Sequence, residues 1–195
     1  SGSFSIMTWN VENLFDFTVP HPSSPPLPKV SEYKLSISRV AQTIQAAAFP
    51  TVIGFQEVEN LEILEDIAAD PLLAEYDYQA ALIEGTDSRG IDVGYLVRSD
   101  QAEIINTVQY PAPGNITSRP PLMIEVELEG SDASLYFLNN HFTSMSGGEE
   151  ATEPRRNAQA AWNAEIEQEI LQEDPGALLV VLGDLNSYYG SLPLQ

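Results

Sequence analysis

Apolar and polar residues repeat with two different periods along the chain, which predicts a mixture of strands and helices. Residues 4–9 alternate and are rich in strand formers, whereas residues 31–48 place apolar side chains at helical spacing. The short apolar run at 51–57 suits a buried strand, and residues 153–173 carry the longest helical pattern. Further predicted elements are a helix at 61–69 and strands at 76–83, 91–98, 102–110, 122–128, 134–140 and 177–182. This mixture favours an α/β or α+β fold with two sheets.

Proline and glycine divide these elements without separating the chain into domains. The proline-rich stretch at 20–28 can continue neither a helix nor a central strand, so it is predicted to be a surface loop. There is no internal repeat and no interdomain linker, so we treat 1–195 as one domain. Residues 1–3, Ser-Gly-Ser, resemble the remnant of an expression tag.

Composition limits the chemistry more than the fold. The chain has 195 residues, of which 43% are apolar, enough for a full core. It has no cysteine, which excludes disulfides, thiol nucleophiles and cysteine-based zinc sites. No apolar run approaches the roughly 20 residues that span a bilayer. With 29 Asp and Glu against 8 Lys and Arg, the formal charge of −21 should repel nucleic acid, so composition alone argues against a nuclease.

Polar groups nevertheless follow four predicted strands in the same chain direction. They are Asn10, Glu57, His141 and the pair Asp184 and Asn186. Each has a local explanation: a turn for Asn10 and for 183–186, capping of the next helix for Glu57, and a structural role for His141. Taken together, they predict one site at a sheet edge. Carboxylates and carboxamides with one histidine suit Mg²⁺, Mn²⁺ or Ca²⁺ rather than Zn²⁺.

At these positions the chain resembles the endonuclease/exonuclease/phosphatase superfamily, whose fold is that of DNase I, and in particular its bacterial extracellular nucleases. The resemblance implies a four-layer α/β/β/α sandwich of two packed, mostly antiparallel sheets, with a metal-dependent site at one sheet edge that cleaves phosphoester bonds. It is carried, in the family's order, by residues 9–16, 54–60, 88–95, 118–121, 139–142 and 183–186.

The resemblance also implies roles for the metal and the attacking water. It makes Glu57 the principal metal ligand, with Asn10 as its neighbour in the metal and phosphate site. Asp184 would orient or deprotonate the water, and Asn186 would hold the phosphate or that water. The cofactor expected on this basis is Mg²⁺, with Mn²⁺ or Ca²⁺ as alternatives.

Further residues are implied on the phosphate side. His141 matches a histidine that contacts the phosphate and can donate a proton to the leaving oxygen. Arg119 matches an arginine that grips a non-bridging oxygen, a task that suits its fork of donors. Asp92 would orient His141 or support the site. The remaining histidine, His21, lies in the proline-rich loop and is expected to be structural.

These roles predict a divalent-metal-dependent phosphodiester hydrolase, and foremost a nuclease acting on DNA or RNA. Two alternatives stay open: a phosphatase or phospholipase-like esterase on a small or lipid substrate, and a binding domain without catalysis. Relatives continue to a terminal Ser-Asp-His motif that these 195 residues lack, so we expect a domain truncated before that motif. A second chain or a domain swap would then cover the open sheet edge.

The acidic residues are expected to form a solvated surface that suits a saline or calcium-rich exterior. This favours a soluble, secreted or periplasmic protein. Positive charge is scarce. Arg119 lies on a motif expected to bind phosphate, and Arg89 and Arg98 flank another motif. The sequence therefore predicts that some positive charge is retained where the phosphate lies.

Overall fold

The fold is described from a computed structural model, for residues 4–131 and 134–194. The predicted tag remnant at 1–3 lies outside the described residues. Eight strands form two four-stranded sheets, and three α-helices cover their outer faces. Within the described residues, no helix is both long and apolar enough to cross a bilayer.

The first sheet has the order β1-β2-β4-β3. Strands β1 and β2 are parallel, whereas the other two pairings are antiparallel. The pairing of β1 with β2 shifts register between Asn10 and Leu14. The strand predicted to end at Asn10 therefore extends to Leu14, because the chain pairs with β2 again beyond this irregularity. The four strands are β1 (Ile6–Leu14), β2 (Val52–Val58), β3 (Tyr78–Leu82) and β4 (Asp92–Arg98).

The second sheet has the order β5-β6-β7-β8. Here the first two pairings are antiparallel, and β7 and β8 are parallel. Each sheet thus carries one parallel pair, and in both that pair lies at an edge. The four strands are β5 (Ala102–Gln109), β6 (Leu122–Leu128), β7 (Ser134–His141) and β8 (Leu178–Asp184).

The helices complete a four-layer sandwich. Helices α1 and α2 pack their apolar sides on the first sheet, and α3 packs Ile166 and Ile170 on the second. The third helix begins four residues before the predicted start at 153 and includes Pro154. The predicted four-layer arrangement of mostly antiparallel sheets is confirmed. The helices are α1 (Val30–Ala46), α2 (Leu61–Ala68) and α3 (Glu149–Glu173), and short 3-10 turns lie at Ala74–Tyr76, Met145–Gly147 and Leu192–Leu194.

The inner faces of the two sheets pack together in an apolar core that is crossed by a few hydrogen bonds. The buried hydroxyl of Tyr95 lies within hydrogen-bond distance of the carbonyls of Leu122, at 2.8 Å, and Phe137, at 3.0 Å, and its one proton can be donated to either. The Asn139 side chain donates to two carbonyls of the first sheet and accepts from Gln56 at 2.9 Å. These bonds join the sheets next to the ends of β2 and β7, so they fix the relative position of the residues that follow.

Candidate active site

The side chains predicted at the strand ends meet in the structure. Asn10 Nδ2 donates to Asp184 Oδ2 at 3.0 Å and lies 3.4 Å from Glu57 Oε1. The two parallel pairs, β1 with β2 and β7 with β8, end on the same side of the sandwich, which brings residues 174 positions apart into contact. The structure therefore brings Asn10, Glu57 and Asp184 together, and their predicted roles in a site stay a prediction.

Glu57 has an unusual backbone conformation. Its φ of 65° lies in the left-handed region, and the pairing of β2 with β4 shifts register at this point. Such a φ is costly for a residue with a Cβ atom and persists where neighbouring contacts enforce it. The backbone N–H of Asn13 donates to Glu57 Oε2 at 2.9 Å, which holds the carboxylate in place.

The end of β8 and the loop that follows it place Asp184 and Asn186, again through an unusual backbone conformation and fixed hydrogen bonds. A Cβ at Gly183, whose φ is 133°, would lie 2.0 Å from the Asn140 carbonyl oxygen, so this position requires glycine. The Asn186 N–H donates to Asp184 Oδ1 at 3.1 Å, and Asn186 Nδ2 donates to the Phe142 carbonyl at 3.0 Å. Both side chains therefore face the same cleft with fixed orientations.

His141 lies between the two carboxylates without bonding to either. Its Nε2 is 3.7 Å from Glu57 Oε1 and 3.9 Å from Asp184 Oδ2, beyond hydrogen-bond length. Burial and the Arg119 charge lower the pKa of His141 to about 4, against the opposite effect of both carboxylates. The ring is thus neutral at pH 7, and its buried Nδ1 has no partner among the described residues. A neutral imidazole here can donate one hydrogen bond to a phosphate oxygen.

Asp92 is buried and forms no hydrogen bond with Asn10, Glu57, His141 or Asp184 in the described part of the chain. Its carboxylate accepts the Gly85 N–H at 2.7 Å. Burial raises the pKa of Asp92 to about 7. The expected catalytic role of Asp92 stays a prediction, while the geometry accounts for a supporting role at the turn before β4.

Arg119 is fixed by three acceptors. It donates to Asp87 Oδ2 at 2.9 Å and to the carbonyls of His141 and Phe142, both at 3.4 Å. Burial opposes the charged form of Asp87, but hydrogen bonds from Ser118 and the Arg89 N–H, together with the Arg119 charge, lower its pKa. The Asp87 carboxylate therefore stays ionised and holds Arg119 at the site. The sequence analysis did not predict a role for Asp87, although this residue directly precedes the family motif at 88–95.

A cleft of about 490 Å³ joins these groups. Arg89 lies there with Nη2 3.7 Å from Glu57 Oε1, so this arginine does flank the site. Arg98 does not, because it pairs with Asp100 at 2.6 Å and stacks on Tyr76 elsewhere in the first sheet. The cleft is lined by Glu57, Asp87, Arg89, Thr117, Ser118, Arg119, His141, Thr143, Ser144, Ser146, Gly147, Thr152, Arg155, Gln159, Asp184 and Asn186.

The donor set fits a hard divalent cation that keeps several water ligands. Within the described residues, no three His, Asp or Glu side chains are grouped closely enough to hold a metal alone. Glu57 and Asp184 nevertheless lie on either side of Asn10. Protein-bound Mg²⁺ is usually coordinated by one or two carboxylates, and water and substrate phosphate complete its coordination shell. Glu57, with Asn10 beside it, is where such an ion would be held.

His21 is tied into the fold, away from this cleft. Its Nε2 lies 3.0 Å from Oε1 of the buried Glu59, whose other oxygen accepts the Asp16 N–H at 2.7 Å. The expected structural role of His21 agrees with these contacts, which attach the proline-rich loop to the end of β2.

A family model described as the endonuclease/exonuclease/phosphatase family matches residues 5–190. No curated protein sequence matches the chain significantly. Solved structures with the same fold include TDP2 from C. elegans, which is 20% identical with a TM-score of 0.67. That alignment covers 95% of this chain and 48% of the C. elegans protein, so the chain spans about half the length of that relative.

Two further structures are similar in fold. One is D. rerio TDP2 complexed with a single-strand DNA product, at 19% identity and a TM-score of 0.63, covering 95% of this chain and 61% of that one. The other is a mannosyl-6-phosphatase from Bacteroides thetaiotaomicron, at 16% identity and a TM-score of 0.68, covering 98% and 68%. At these identities the likeness establishes the fold.

Proposed function

The chain belongs to the endonuclease/exonuclease/phosphatase family, and from this premise we propose that it carries the centre of a divalent-metal-dependent phosphodiester hydrolase that acts on nucleic acid. The observation that supports this most is the position of Asn10, which contacts both Glu57 and Asp184 at the edge of the cleft. This contact supports a shared site, because it holds the group proposed to bind the metal, Glu57, close to the group proposed to orient the water, Asp184.

The proposed roles follow from the contacts of each side chain. Glu57 and Asn10 hold the cation, which when bound supplies charge stabilisation for the phosphoryl oxygens. Asp184 orients the attacking water and accepts its proton, since its Oδ2 is held by Asn10. Asn186 fixes the same water or a phosphate oxygen through its side chain.

His141, which lies between the two carboxylates, and Arg119 receive the phosphate. The neutral His141 ring donates a hydrogen bond to a phosphoryl oxygen. Arg119 is already held by Asp87 and two carbonyls, so it loses little side-chain freedom when it binds a non-bridging oxygen. This preorganisation favours the phosphate-binding role that the sequence predicted for Arg119.

Nucleic acid is the proposed substrate because three of the eight Lys and Arg residues line the cleft, where their charge balances that of Glu57, Asp87 and Asp184. Arg89, Arg119 and Arg155 all line it, although the chain has 8 Lys and Arg in total against 29 Asp and Glu. The D. rerio TDP2 structure, which shares the fold, holds a single-strand DNA product. A small phosphoester is the second candidate, since the fold also occurs in a mannosyl-6-phosphatase.

The test uses the intact gene product with single-stranded DNA, RNA, bis(p-nitrophenyl) phosphate and a sugar monophosphate as substrates. We expect EDTA to abolish nucleic acid hydrolysis and Mg²⁺ or Mn²⁺ to restore it. Glu57→Ala and Asp184→Ala should each lower kcat by at least about 100-fold, because both remove a group that acts on the reacting centre. Glu65→Ala, on the exposed side of α2, is the matched control and should leave kcat unchanged.

Each part of the proposal can fail separately. Hydrolysis that continues in EDTA would refute the metal dependence. Faster turnover of the sugar monophosphate than of any nucleic acid would favour the second candidate. Full activity in Glu57→Ala or Asp184→Ala would refute the assigned site, and no hydrolysis of any substrate would refute the enzymatic function itself.

A further inference from the structure

The cleft does not end at the hydrolytic side chains. It continues past Thr117, Ser118 and Arg155 into a second, wider groove of about 880 Å³ between residues 113–118 and the beginning of α3. These three residues line both spaces, so Arg155 lies at the junction between them. A substrate longer than one phosphoryl group has room to follow this path.

Arg155 differs from the other two arginines of the cleft in its partners. Its Nε donates to the Ile116 carbonyl at 3.0 Å and its Nη2 to the Asn115 carbonyl at 2.6 Å. Within the described residues it forms no ion pair, whereas Arg119 pairs with Asp87 and Arg89 lies near Glu57. A guanidinium has five N–H groups, so three remain available for a ligand.

The groove around Arg155 is also poor in negative charge. None of the described residues that line it carries a carboxylate, in a chain whose net charge is −21. Glu149, Glu150 and Glu153 begin the same helix, but they line neither the cleft nor the groove. An uncompensated cation in such a lining favours an anionic group of the ligand.

One loop fixes Arg155 and Arg119 relative to each other. The Ile116 carbonyl accepts from Arg155 and from Gln159 Nε2, the latter at 2.9 Å. Next along the chain, Thr117 Oγ1 accepts the Arg119 N–H at 3.0 Å and donates to the Arg119 carbonyl at 2.9 Å. The Arg155 guanidinium is therefore bound to the short segment that also carries Arg119, whose own guanidinium is held by Asp87 and the carbonyls of His141 and Phe142. Two anions bound to these arginines would thus have a defined spacing.

We propose that Arg155 binds a second phosphate of the substrate while Arg119 holds the scissile one, so that the site selects phosphodiesters with at least two phosphates over single-phosphate esters. This inference rests on the proposed function and assigns its substrate class: a short single-stranded oligonucleotide. Arg155 acts as a specificity-determining residue, because it contacts the neighbouring phosphate rather than the reacting atoms.

The experiment measures binding of thymidine trinucleotides by isothermal titration calorimetry in EDTA, so that turnover does not interfere. One ligand carries both charged linkages; in two others either linkage is a neutral methylphosphonate. We expect Arg155→Gln to weaken binding of the fully charged trinucleotide about tenfold, as for loss of one charge-assisted contact. Arg155→Lys should recover part of the loss. Arg39→Gln, which removes the same charge from exposed α1, is the matched control and should bind like the wild type.

The decisive comparison is between the variant and the neutral linkages. If Arg155 contacts a second phosphate, Arg155→Gln should lose nothing further with the trinucleotide in which that phosphate is neutral. Equal losses with all three ligands, or none, would overturn the inference. Hydrolysis of bis(p-nitrophenyl) phosphate with Mg²⁺, followed in the same variants, separates this from the proposed function: if that reaction persists while the charge selectivity is missing, the inference alone fails. If selectivity is present without any hydrolysis, the proposed function fails, and Arg155 is left as part of a site that binds two phosphates without cleaving either.

Discussion

Two of the residues assigned to the reaction adopt a left-handed backbone conformation. Glu57 and Asn186 have φ values of 65° and 46°. This conformation costs a residue such as Glu57 about 1–2 kcal/mol, whereas asparagine adopts it more readily because its short side chain can hydrogen-bond locally. The Asn13 N–H holds the Glu57 carboxylate, and the Phe142 carbonyl holds the Asn186 side chain. At this scale the sequence predicted which residues gather, but no glycine marked the unusual backbone at either position.

Asp92 gives a residue-level test of pH dependence. Its pKa of about 7 lies above the ordinary value of 3.8, so between these values the folded chain holds a proton that the unfolded chain releases. Stability from this group therefore falls as pH rises from about 4 to about 7, and is constant above that. We expect Asp92→Asn to remove this slope, which amounts to at most about 4 kcal/mol. Urea unfolding at pH 5, 6, 7 and 8 measures it.

The control for this test is Glu103→Gln, an exposed carboxylate on β5, which should keep the wild-type slope. Parallel stability curves for the wild type and Asp92→Asn would contradict the prediction. The buried carboxylate was expected from the sequence to act in catalysis, and its environment was not predictable, because burial depends on the Gly85 turn that covers it.

At the scale of elements, the strand and helix positions were largely predictable because the periods are clear. The strand at 122–128 is found at Leu122–Leu128, and the strand predicted at 51–57 is found at Val52–Val58. What could not be predicted is the pairing. The register shifts near Asn10 and Glu57 arise from contacts between strands, which leave no local trace in the sequence.

Asn139 is a residue whose role depends on how the strands and sheets pack. It belongs to the motif that carried the resemblance, beside His141, yet it is fully buried and binds both sheets. Replacing Asn139 by alanine leaves the carbonyls of Phe55 and Gly94 without these donors. We expect a loss of about 2–4 kcal/mol in the free energy of unfolding, as for other buried polar groups left unpaired.

Urea denaturation of Asn139→Ala measures this loss. Asn106→Ala, which removes an exposed amide from β5, is the matched control and should change stability by less than about 0.5 kcal/mol. A similar effect of both variants would mean that the amide contacts between the sheets contribute little.

For the whole molecule, the charge of −21 makes activity on a polyanion depend on ionic strength. Screening shortens the reach of repulsion from about 30 Å at 0.01 M salt to about 8 Å at 0.15 M. Hydrolysis of single-stranded DNA should therefore rise severalfold over this range before the loss of phosphate contacts lowers it again. Initial rates across a salt series measure the profile, with bis(p-nitrophenyl) phosphate as a weakly charged control.

A steady decline of DNA hydrolysis from the lowest salt would contradict this expectation. Composition alone could not predict where the few cations lie. Arg155 follows Pro154 near the beginning of α3, and its place in the cleft depends on the carbonyls of Asn115 and Ile116, 40 and 39 residues earlier. The predicted secreted or periplasmic location rests on the same acidity and stays a prediction.

Each sheet is built from one continuous half of the chain, β1 to β4 from residues 6–98 and β5 to β8 from residues 102–184. Asn10 and Glu57 belong to the first half, whereas His141 and Asp184 belong to the second. Neither half of the chain can form the candidate site by folding alone, because each half carries only part of these side chains. Under the proposed function, the reacting centre forms only when the two halves dock, and separating them removes that centre even if each sheet stays folded.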